Sequence, residues 1–64
     1  MSYTLLFAVG GKSYRKQVET VAQVHERINF LMLHRATMVL VLQNLAPWFV
    51  LTRSDSGRYL RRVF

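Results

Sequence analysis

With 64 residues and no cysteine, the chain has room for one domain, residues 1–64, and lacks disulfides or thiolate metal ligands to staple it. Its 52% apolar content excludes disorder. The longest apolar run, Ala36 to Leu51, is broken by Gln43, Asn44 and Pro47 and falls short of the ~20 residues of a membrane span.

Nine Lys and Arg against three acids give a net charge of +6. Such a charge attracts nucleic acid, an anionic membrane surface or an acidic protein, and it also keeps a small apolar domain dispersed. Met1 to Gly11 is apolar but lacks the basic start and small-residue cleavage site of a targeting segment, so a soluble, cytoplasmic protein without a membrane partner is expected.

Tyr3-Thr4-Leu5-Leu6-Phe7-Ala8-Val9 reads as a strand, Gly10-Gly11 as a two-residue hairpin turn, and Lys12 to Val18 as the return strand. A two-residue loop sets Val9 opposite Lys12, Phe7 opposite Tyr14, Leu5 opposite Lys16 and Tyr3 opposite Val18. One face then carries Tyr3, Leu5, Phe7, Val9, Tyr14 and Val18. The other carries Thr4, Leu6, Ala8, Ser13, Arg15 and Gln17 and is expected to be mostly wet.

Thr20-Val21-Ala22-Gln23 has the form of a capping box and opens a helix over about residues 20–35. Val21, Val24, Ile28, Leu31, Met32 and Arg35 follow the spacing of one stripe. Thr37-Met38-Val39-Leu40-Val41-Leu42 has no polar alternation, as in a strand apolar on both faces or central in a sheet. Asn44-Leu45-Ala46-Pro47 is read as the next turn, since proline cannot donate to a ladder.

The chain closes with a hairpin, Trp48 to Arg53 and Arg58 to Phe64, around Ser54-Asp55-Ser56-Gly57. Setting Arg53 opposite Arg58 puts Phe49, Leu51, Leu60, Arg62 and Phe64 on one face. Trp48, Val50, Tyr59, Arg61 and Val63 fall on the other. The order β-β-α-β-β-β implies an α+β fold: a small antiparallel sheet with one helix packed on one face.

Nothing in the inventory points to an enzyme, a cofactor or a metal. The acids Glu19, Glu26 and Asp55 form no pair, and Asp55 lies in a turn where aspartate is favoured for backbone reasons. His25 and His34 are nine residues apart on one helix, and at about 100° per residue they point to opposite sides. His25-Glu26 does not begin a zinc H-E-x-x-H pattern, because position 29 is Asn.

Two binding surfaces are candidates. Arg53, Arg58, Arg61 and Arg62, interleaved with Trp48, Tyr59 and Phe64, together with Lys12, Arg15 and Lys16 of the first hairpin, suit phosphates and unpaired bases. The same cations also suit the protection of exposed strand edges. Trp48, Val50, Tyr59 and Val63, on the hairpin face away from the helix, have the composition of a protein interface ringed by arginine.

The expectation is a small basic non-enzymatic binding or regulatory protein, a homodimer, whose cationic face contacts nucleic acid. The alternative is a protein-interaction module or inhibitor that uses the aromatic hairpin face on an acidic partner, or as a homodimer. A helix, an apolar strand and a Trp-bearing hairpin leaving its turn through Gly57-Arg58-Tyr59 form a layout that resembles very small accessory proteins of phages and plasmids, some anti-CRISPR proteins among them. That likeness is one of layout only, contains no diagnostic motif and carries no residue roles.

Overall fold

Two glycines at positive φ, Gly10 at 59° and Gly11 at 78°, supply the backbone that a two-residue hairpin needs. They join β1 (Tyr3–Val9) to β2 (Lys12–Val18) in the expected register, with Phe7 opposite Tyr14 and Leu5 opposite Lys16. The computed structural model describes residues 2–64. The elements that follow are α1 (Val21–Leu33), β3 (Met38–Gln43), β4 (Ala46–Arg53) and β5 (Tyr59–Val63). All strand pairs are antiparallel, in one five-stranded sheet of order β2-β1-β3-β4-β5. The fold is α+β, with β3 at the sheet centre and the helix on one face.

The helix begins at a complete capping box. The Gln23 N–H donates to Thr20 Oγ1 at 3.2 Å, and the Thr20 and Glu19 N–H groups donate to Gln23 Oε1 at 3.1 and 2.9 Å. It ends in a Schellman turn. The Ala36 N–H reaches the Leu31 carbonyl at 3.0 Å and the Arg35 N–H reaches that of Met32 at 3.1 Å, with Arg35 at φ 58°. Ala36 and Leu31 are both buried, which supplies the apolar contact that usually accompanies this motif.

The buried stripe is narrower than the spacing suggests. Val24, Ile28 and Leu31 are buried, whereas Val21 and Met32 are exposed on one flank and Phe30 on the other. A helix about 10 Å wide cannot cover five strands, and α1 lies over the central strand β3 and its neighbour β1. Its stripe meets Tyr3, Leu5, Val39, Val41, Phe49 and Leu51, and these side chains with Ala36 make the core.

Two turns differ from expectation. Asn44 and Leu45 alone form the β3–β4 turn, at φ 51° and 68°, both positive as a tight hairpin requires. Ala46 and Pro47 belong to β4. Proline is tolerated there because β5 pairs only from Phe49 onward, so the missing N–H faces no partner strand. A bulge follows: Val41 pairs with Phe49 but Leu42 pairs with Pro47, leaving Trp48 as the extra residue.

The last hairpin is shifted by one residue. The Ser54 N–H donates to the Arg58 carbonyl at 2.7 Å, and the Arg58 N–H donates to Ser54 Oγ at 3.3 Å. Ser54 and Arg58 therefore close the loop, and Arg53 pairs with Tyr59 rather than with Arg58. An odd shift exchanges the faces of β5. Tyr59, Arg61 and Val63 lie on the helix side with Phe49 and Leu51. Leu60 and Arg62 lie on the far side with Thr52 and Val50.

Candidate protein-docking face

Alternation along the strands places every second residue on the sheet face away from α1. Across the middle of that face the pairings line up Arg15, Leu6, Leu40, Val50 and Arg62 in one row. One side of it is flanked by Ser13, Ala8, Met38, Thr52 and Leu60, and the other by Gln17, Thr4, Leu42 and Pro47. Leu6, Leu40, Leu42 and Val50 shield one another and are half-buried, while Leu60 is 63% exposed. Among the described residues no element lies over them. Within the strands the face carries no aromatic ring and none of the three acids, and alternation past Val63 brings the exposed Phe64 to its β5 edge. Its only charges are Arg15 on β2 and Arg62 on β5, at the two sheet edges.

This arrangement divides the aromatic set expected to form an interface. Val50 is on the open face. Trp48, forced out of the alternation by the bulge, leans on the core, 5.9 Å from the Tyr3 ring and 4.9 Å edge-on from Phe49. Tyr59 packs against the core on the helix side, and its hydroxyl donates to the Ala36 carbonyl at 2.6 Å, tying β5 to the exit of α1. Val63 is also on the helix side, exposed at 61%.

The cationic set is divided too. Lys12 and Lys16 sit on the helix side of β2 and Arg15 on its open side. Arg53 and Arg61 sit on the helix side of β4 and β5, Arg62 on the open side, and Arg58 closes the last turn. The Arg61 guanidinium lies 4.5 Å from the centre of the Phe49 ring and roofs that end of the core. Because β2 and β5 are opposite edges, the two groups are about 19 Å apart, four strand spacings.

No catalytic or metal geometry accompanies these surfaces among the described residues. No three His, Cys, Asp or Glu side chains come together among the described residues, and His34 packs on Phe30 at a 44° tilt with ring centres 4.3 Å apart. Among the described residues no buried polar side-chain atom lacks a partner, so no orphaned group there points to a ligand. No helix is long and apolar enough to cross a membrane.

Sequence reasoning passed over Leu6, Leu40, Leu42 and Leu60 as site residues. A signal existed: β3 is apolar at every position from Met38 to Leu42, and one helix covers only one side of it. No protein-family profile, curated protein or solved structure matches the chain.

Proposed function

We propose that this is a non-enzymatic binding protein whose open sheet face docks on another protein. The observation that carries the reading is the row Leu6, Leu40, Val50: a second apolar face, opposite the one that α1 covers, bounded by Arg15 and Arg62. A half-buried apolar centre with a polar, cationic rim is the usual anatomy of a protein interface. The centre of the face, Leu6, Leu40 and Val50, offers no ring on which bases could stack.

A photo-crosslinking residue at position 40, activated in the source cells, is expected to give a discrete, nuclease-resistant protein adduct that Val50→Glu abolishes. Adducts with nucleic acid alone, or none at all, would sink the reading.

The +6 charge supports a second reading, contact with nucleic acid along the cationic edges through Lys12, Lys16, Arg58 and Arg61. It requires log-linear weakening of oligonucleotide binding with salt, with Arg58→Ala and Arg61→Ala reducing the slope.

A further inference from the structure

The open face has an apolar centre, as the covered one does, but no helix on it. On the covered side α1 lies along β1 and β3 and fills the middle of the sheet. On the open side the same central strands offer Leu6, Leu40 and Val50, with no element in place. The strands that bear Arg15 and Arg62 are about 19 Å apart. A helix with its side chains is about 10–12 Å across. One helix laid along the central strands would leave both guanidiniums beside its flanks.

Charge selects among occupants of that seat. The face carries two arginines and no acid. Consider a second copy stacked face to face with its strands aligned. A two-fold axis parallel to the strands sets Arg15 over Arg62, and one across them sets Arg15 over Arg15. Each places like charges opposite one another at both rims, which disfavours self-association. A chain with acids on both flanks of an apolar stripe meets no such conflict.

We infer that the open face is the seat of a partner's amphipathic helix, whose leucine-type stripe runs over Met38, Leu40 and Leu42 of β3, crossing the row Leu6, Leu40 and Val50, with carboxylates on both flanks facing Arg15 and Arg62. This rests on the protein-docking reading of the same face. The occupant completes a helix–sheet–helix sandwich that the chain itself leaves two-layered.

The test uses the full chain and two synthetic helical peptides of about 18 residues, five turns, that share a leucine stripe and differ only in Glu or Lys flanks. Calorimetry is expected to show the Glu-flanked peptide binding roughly ten-fold or more tightly than the Lys-flanked one. Amide shift changes should centre on Leu6, Leu40 and Val50. The doubly reversed variant Arg15→Glu, Arg62→Glu should invert the preference; both arginines are exposed, so the fold is retained.

Equal binding of the two peptides, or shifts centred on α1, overturns the inference. So does a chain that sediments as a dimer through this face, or one in which anionic vesicles perturb these residues and the Glu-flanked peptide does not. If the Glu-flanked peptide fails while the position-40 adduct is still a protein, the helix assignment falls and the docking reading stands. If both fail, both fall.

Discussion

Arg35 and Leu45 hold left-handed backbone, at φ 58° and 68°, where a side chain costs about 1 kcal/mol relative to glycine. Arg35 occupies the helix C′ position that glycine favours, and Leu45 the second turn position of a hairpin that prefers Asn-Gly. Arg35→Gly and Leu45→Gly should therefore each raise stability by about 0.5–1 kcal/mol in chemical denaturation. A loss at either site would mean that its side chain makes a contact outweighing the strain. Tyr59 presents the opposite case. Its hydroxyl satisfies the Ala36 carbonyl beside a fully buried residue, so Tyr59→Phe should cost about 1–1.5 kcal/mol with the fold intact. An unchanged midpoint would show that water replaces the bond at no cost.

At the level of elements, the two faces of β3 make a paired prediction. Val41→Lys buries an ammonium group in the core, with more than about 3 kcal/mol lost, and should abolish cooperative thermal unfolding followed by circular dichroism. Leu40→Lys, one residue away on the open face, should cost about 1 kcal/mol and keep a sharp transition. Similar losses from both would mean that the open face is covered within the chain. The first hairpin, its register and the capped helix were legible because each is decided locally: Gly10-Gly11 admits one tight turn, and Thr20 with Gln23 admits one cap. The register of the last hairpin was not. The pattern Ser54-Asp55-Ser56-Gly57 suits a four-residue loop, and the bonds between Ser54 and Arg58, backbone and side chain, decide for three. Pro47 was read as a breaker, because the late start of β5 that makes room for it is a tertiary fact. The docking face was half legible: the apolar run of β3 announced two apolar faces and alternation put Val50 opposite Phe49 and Leu51, but which residues of β5 joined each depended on that one-residue shift, and the bulge took Trp48 out of the pattern.

Across the whole molecule, strand order separates charge from apolar surface. It sends the cations of the two hairpins to opposite edges and leaves Leu6, Leu40 and Val50 between them. It also bears on kinetics. Three of the four strand pairs join consecutive strands. The pairing of β1 with β3, in which Leu5 meets Val41, is the exception, and it closes across all of β2 and α1. Hairpins form in about 1–10 μs, whereas this seam must first meet the entropy of a long loop. The seam is thus expected to lie in the folding transition state, clasped by Val24 and Ile28 of the helix above it. Leu5→Ala should mainly slow folding, with a φ-value above about 0.5. Leu51→Ala, in the locally formed β3–β4 pair, should mainly speed unfolding, with a φ-value below about 0.3. The opposite ranking in stopped-flow chevrons would place the nucleus in the C-terminal meander. With the nucleus at the seam, the time a newly made chain spends as an unjoined hairpin and meander, with both sheet faces bare, is set by how fast one helix finds the strands on either side of it.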